Sequence, residues 1–232
     1  MWSSVARKLA TRFRVLKPDL PGRTGNPIRA AGTIGSYADF IASILDRLEA
    51  PVGLAAFSMG GYISLEIMRR GHPKVSALAL VDTRAVADDE AARAKRDQSI
   101  ATLRAQGVAA IADAMLPLLI SPESASKGDF AERVRRIILR QTPLALESDL
   151  TAMRDRPDST TLLPHIAVPT LVITGERDVI STVAESQAMA NAIPGATFVV
   201  IPGSGHLTPM ENPSAVAQAL GDFFEKALNP KS

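Results

Sequence analysis

Cysteine is missing from this 232-residue sequence altogether, which removes disulfides, thiolate metal sites and a cysteine nucleophile. A reducing compartment suits such a chain, and the expected location is cytoplasmic. A surplus of charge is missing too: 26 Lys and Arg stand against 24 Asp and Glu, for a net of +2, so nothing points to nucleic acid or an anionic membrane. No apolar run approaches the ~20 residues that span a bilayer, and no secretory signal opens the chain. No repeat, low-complexity region, metal-ligand spacing or phosphate-binding glycine loop is found, so no metal or organic cofactor is expected. The expected partner is a small molecule.

What is present is a length and a 46% hydrophobic content sufficient for a buried core. Basic residues crowd the start, from Arg7 to Lys17 with no acid before Asp19, a composition met in transit peptides. Here it is read as a helix over Trp2–Arg12, followed by a short strand at Arg14–Leu16 and a loop with Pro21, Gly22, Gly25, Asn26 and Pro27. From Ser36, Tyr37, Phe40, Ile41, Ile44, Leu45 and Leu48 recur at helical spacing, with Ser36 as the N-cap.

Val52–Phe57 is an apolar run too short for a helix, and after Ser58-Met59-Gly60-Gly61 a helical pattern runs to Gly71. Val75–Val81, Thr170–Thr174 and Thr197–Ile201 are almost continuously apolar, as strands covered on both faces are. Helical segments follow at Thr182–Ile193 and from Pro213. This alternation predicts an α/β fold with a mostly parallel sheet. Between Arg84 and Pro164 the strand rhythm stops, while Leu103, Ile111, Met115, Leu119, Ile138 and Leu150 are spaced for helices. The expected division is a core of residues 1–83 and 165–232 with a helical cap at 84–164.

A serine hydroxyl needs a base to take its proton, and the base needs a carboxylate to hold its tautomer. Ser58 stands at a strand-to-helix turn flanked by small residues, where a side chain is exposed on a sharp elbow. Asp178 follows the Thr170–Thr174 strand and His206 follows the Thr197–Ile201 strand, and in an open parallel sheet the carboxyl ends of strands converge at the ligand edge. The other two histidines, His72 and His165, follow no strand end. The backbone N–H of Met59, at the start of the following helix, is placed for an oxyanion. Asp82 also follows a strand and is the alternative acid; its other reading is a loop-fixing carboxylate. Ser58 likewise has a second reading, as a plain helix N-cap.

The Ser-Met-Gly-Gly elbow, Gly205-His206 and Glu211-Asn212-Pro213 resemble the α/β-hydrolase family across nearly all of the chain but the cap. One departure is Ala56, where the family's Gly-x-Ser-x-Gly elbow carries its first glycine. The resemblance implies a serine hydrolase acting on a small carboxylic ester, or on an enol-lactone or carbon–carbon bond with the same Ser58–Asp178–His206 triad. It gives Asp19 and Arg23 a structural loop. It also implies first strands and a His-Gly oxyanion loop ahead of Trp2, so the sheet is expected to lack its first strands and the chain to derive from a longer hydrolase, with activity impaired or, as the alternative, with the chain a weakly active or non-catalytic scaffold.

Overall fold

A computed structural model describes residues 1–23, 32–49 and 51–228; Gly25, Asn26 and Pro27 of the early loop lie outside the described residues. The chain opens with α1 (Ser3–Leu9), shorter than the expected helix, and α2 (Ile34–Leu45). The N-cap of α2 is Thr33 rather than Ser36: Thr33 Oγ1 accepts from Ser36 N at 3.0 Å, and Ser36 Oγ reaches back to Thr33 N at 3.3 Å. Ser36 therefore serves as the third-position partner of a capping box, a role in which a serine satisfies an orphan amide equally well.

Then come β1 (Val52–Phe57), α3 (Met59–Arg69) and β2 (Val75–Val81). Four helices replace the strand rhythm next: α4 (Glu90–Leu119), α5 (Pro122–Ala125), α6 (Phe130–Leu139) and α7 (Pro143–Arg154). A 3-10 turn at Thr160–His165 leads back to β3 (Thr170–Gly175), α8 (Val183–Ala192), β4 (Thr197–Ile201), α9 (Thr208–Glu211) and α10 (Pro213–Leu228).

Among the described residues the strands form one parallel sheet in the order β1-β2-β3-β4. Successive side chains of a strand point to opposite faces. Accordingly Ala77, Ala79, Val81, Leu171 and Ile173 meet Val5 and Leu9 of α1 and Val216, Leu220 and Phe224 of α10. Leu78, Leu80 and Val172 meet Leu65 of α3 and Met189 of α8 on the other face. Both faces are covered, which is why these strands carry no polar alternation.

The expected strand at Arg14–Leu16 is not found; the segment joins no ladder, and β1 is an edge strand among the described residues. Phe13 and Val15 instead pack against the α1–α10 cluster, Phe13 edge-on to Phe224 at 6.4 Å between ring centroids. Within Arg14–Leu16 only Val15 is partly buried, held by side-chain packing with no ladder beside it.

Candidate active site

Ser58 occupies a backbone conformation that L residues rarely adopt, with φ 49° and ψ −116°. Such a residue costs on the order of 1–3 kcal/mol and persists only where its surroundings over-determine it. Here they do: Ser58 N donates to Val81 O at 3.0 Å, while Ser58 O accepts from Gly61 N and from Thr83 Oγ1, both at 2.8 Å. The tight glycine of the elbow is Gly61, whose added Cβ would lie 2.3 Å from Thr83 Oγ1. At Gly60 a Cβ would meet only Ala56 Cβ at 3.9 Å, an ordinary contact, so Ala56 fits the elbow without strain.

Ser58 sits at the N-cap position of α3, yet its side chain makes no capping bond. Its Oγ lies 2.9 Å from His206 Nε2. On the far side of the ring, His206 Nδ1 lies 2.9 Å from Asp178 Oδ2. An ionised carboxylate only accepts, so Nδ1 carries the proton and Nε2 presents its lone pair to the serine hydroxyl. His206 is 3% exposed and its ring packs against Phe57 at 5.2 Å between centroids.

Asp178 is buried, which pushes its carboxyl up, but hydrogen bonds from His206 and Ser181 outweigh that and leave it below the ordinary aspartate value. Ser181 is a contributor the sequence reading did not name. Its Oγ donates to Asp178 Oδ2 at 2.6 Å, while Ser181 N and Ile180 N donate to Oδ1 at 3.0 and 2.8 Å. The Asp-x-x-Ser spacing of a side chain bonding backbone two and three residues on was the available signal.

Asp82, the alternative acid, does not join this line. Its Oδ1 accepts from Gly175 N at 3.0 Å and its Oδ2 from Thr208 N at 3.2 Å and Thr208 Oγ1 at 2.5 Å. It ties the end of β3 to α9 rather than fixing the loop that leads into the helical segment. Complete burial pushes this carboxyl well above the usual range against those hydrogen bonds, and neighbouring Asp178 pushes it the same way.

Met59 is the first residue of α3, so its N–H has no partner within the helix and lies beside Ser58 at the positive end of the helix dipole. Leu119, Ile120, Phe130 and Val134 from the helical segment cluster with Leu207, Phe57 and Ile180, neighbours in sequence of the Ser58, His206 and Asp178 positions. Arg23 pairs with buried Asp149 of α7, which also accepts from Tyr37 Oη at 2.9 Å, so the early loop holds the helical segment as well. Glu176 accepts from Gly203 N at 2.9 Å and lies 3.9 Å from Arg177, both at the surface. Among the described residues no group of three or more His, Asp or Glu side chains is placed to hold a metal ion, and no helix is long and apolar enough to cross a membrane.

A parallel sheet with a strained serine at one strand end, and a histidine and an aspartate arriving from two later strand ends, defines an α/β-hydrolase fold. The chain belongs to the alpha/beta hydrolase family, whose family model matches residues 1–219. It is similar to the pimeloyl-(acyl-carrier protein) methyl ester esterase of Neisseria meningitidis serogroup B, 27% identical over 98% of this chain and 89% of the relative. Among solved structures it is similar to a thermophilic esterase from Thermogutta terrifontis, with TM-score 0.93, 35% identity, and coverage of 98% of this chain and 85% of that one. An enol-lactonase from Burkholderia xenovorans LB400 superposes with TM-score 0.87 at 25% identity over 97% of this chain and 85% of its own. Its relatives place the chain among hydrolases of esterase type.

Proposed function

We propose that the chain is a serine hydrolase that cleaves a small carboxylic ester through an acyl-enzyme on Ser58. The observation that carries this reading is the unbroken line Ser58 Oγ, His206 Nε2, His206 Nδ1, Asp178 Oδ2, each hydrogen-bonded step 2.9 Å long. As the ester carbonyl is attacked, His206 Nε2 takes the hydroxyl proton and the carbonyl oxygen becomes an oxyanion facing the Met59 N–H. The same proton then passes to the departing alkoxide. Water enters, His206 Nε2 takes one of its protons as its oxygen bonds to the acyl carbon, and the acyl–Ser58 bond breaks with that proton passed to Ser58 Oγ, releasing the acid and the free hydroxyl. Asp178 keeps its charge throughout and balances the imidazolium.

In this reading residues 84–164 are a lid on a core of 1–83 and 165–232, and the apolar cluster between them selects a hydrophobic acyl or alcohol group. The reaction needs no metal or organic cofactor, no nucleic acid and no membrane, and a cysteine-free chain fits the cytoplasm. A fluorophosphonate probe should label the protein, and Ser58→Ala should abolish the label and lower hydrolysis of p-nitrophenyl esters by about 10⁴ or more. Labelling that survives Ser58→Ala would sink the proposal by placing the nucleophile elsewhere, and a parent protein that is neither labelled nor active would sink it in favour of a non-catalytic scaffold.

A second reading keeps the triad and changes the substrate to an enol-lactone; the likeness to the Burkholderia enol-lactonase favours it. Parallel assays on an enol-lactone and a series of nitrophenyl esters separate the two by kcat/KM.

A further inference from the structure

Glu211, the last residue of α9, takes no part in the chemistry above, yet its carboxylate gathers backbone N–H groups from both sides of His206. Oε1 accepts from Gly205 N at 3.0 Å and from Leu207 N at 3.2 Å, and Oε2 accepts from Ser121 N at 2.9 Å. Ser121 follows α4 by two residues, so the third donor belongs to the helical segment. Two further contacts seal the same joint. Leu207 N also donates to Leu119 O at 3.1 Å, and a Cβ added to Gly205 would fall 2.6 Å from Ser121 N and 2.9 Å from the Ile120 carbonyl carbon.

We propose that Glu211 is a positioning residue for His206, anchoring the loop that carries the base to the end of α4 and so setting where Nε2 stands relative to Ser58 Oγ. The inference rests on the serine-hydrolase reading. The physical basis is the fork of the carboxylate: one oxygen clamps the two residues flanking His206, and the other, rigidly linked to it, is fixed by a segment outside the sheet. His206 is therefore held on one side by the Asp178 bond and on the other by a joint that spans core and cap. A base displaced by about 1 Å loses on the order of 10²-fold in turnover, because proton transfer requires hydrogen-bond contact with the hydroxyl.

Glu211→Gln keeps the side-chain volume and one carbonyl oxygen but turns an NH2 donor toward an N–H donor, and Glu211→Ala removes the clamp. For p-nitrophenyl butyrate, measured well below each variant's Tm, kcat should fall about 10-fold in Glu211→Gln and about 100-fold in Glu211→Ala, with KM held within about threefold. The rate of fluorophosphonate labelling at Ser58 should fall in step with kcat, which a loss of stability alone would not produce in folded protein. Parental kcat and labelling rate in both variants would overturn the inference while leaving the serine-hydrolase reading in place. Should Glu211→Ala fail to fold, Glu211→Gln decides by the same two rates. A parent protein that fluorophosphonate does not label at Ser58 would overturn both.

Discussion

Asp82 and Asp178 each follow a strand, and their chemistry in isolation is identical; what separates them is the donors that face them. Both oxygens of Asp82 are already engaged by Gly175 and Thr208, whereas Asp178 Oδ2 takes His206 Nδ1. Replacing Asp178 by Asn should lower kcat by about 10⁴, because an amide presents a donor to Nδ1 and favours the wrong tautomer. If Asp82 could stand in, steady-state kinetics of Asp178→Asn would show a loss below about tenfold. The two carboxyls also titrate in opposite senses. Asp82 is raised by burial, so the folded state holds its proton where the unfolded state has lost it, and stability falls as pH climbs from about 4 toward the raised value. Asp178 is lowered on balance, so its contribution is fully present above about pH 4 and is lost as pH falls through the folded value. Urea midpoints against pH should lose the first component in Asp82→Asn and the second in Asp178→Asn; profiles parallel to the parent's would contradict the assignment. From the sequence, strand-end placement picked out Ser58, Asp178 and His206, and the structure brings those three side chains together. Ser181 escaped notice, and Glu211 was noticed only as part of the family resemblance with no role given to it, because a carboxylate or hydroxyl that bonds loop backbone leaves no periodic trace.

At the scale of elements, the helical segment stands on two legs that are tied to each other. Arg156 on the returning leg pairs with Asp88 on the leading one at 2.6 Å, donates from Nε and Nη2 to Val86 O at 3.1 and 2.8 Å, and stacks over Tyr62 at 4.4 Å from the ring centroid. Ser159 N donates to Ala85 O at 2.9 Å beside them. Both partners are buried, and Asp88 also takes Arg96 Nε at 3.1 Å, so removing Arg156 leaves the carboxylate one cation. Arg156→Met should cost about 1–3 kcal/mol in urea denaturation, because Asp88 and Val86 O lose buried charged donors while Arg96 still pairs with Asp88, and a cost below about 0.5 kcal/mol would mean that the pair is exposed in solution. Within the segment, α4 turns at Gly107, where φ is 79° and ψ −175°, a conformation only glycine takes readily. Helical spacing announced α4 but could not announce the turn, since an isolated glycine is also tolerated in a straight helix. The opposite error occurred at Arg14–Leu16, where a short segment ahead of a turn-rich loop was read as a strand and the ladder that defines one is missing.

The molecule as a whole is a covered parallel sheet whose carboxyl edge is roofed by helices. Leu220 of α10 is fully buried against β2, β3 and β4 residues, so Leu220→Ala should cost about 2–5 kcal/mol and lower Tm by roughly 2–4 °C for each kcal/mol. Because Leu220 lies on the sheet face and not at the edge, activity per folded molecule should stay at the parental level; calorimetry and specific activity measured well below the variant's Tm check both halves. The α/β class, the covered strands and the residues at their ends were determined by the sequence alone, because periodicity and turn chemistry are local and a parallel sheet brings its strand ends together. Only the tertiary structure decided which aspartate faces the histidine, which glycine of the elbow is tight and which carboxylate bonds both the His206 loop and the residue just after α4. Those are contacts between segments far apart in the chain, which no local pattern of residues encodes.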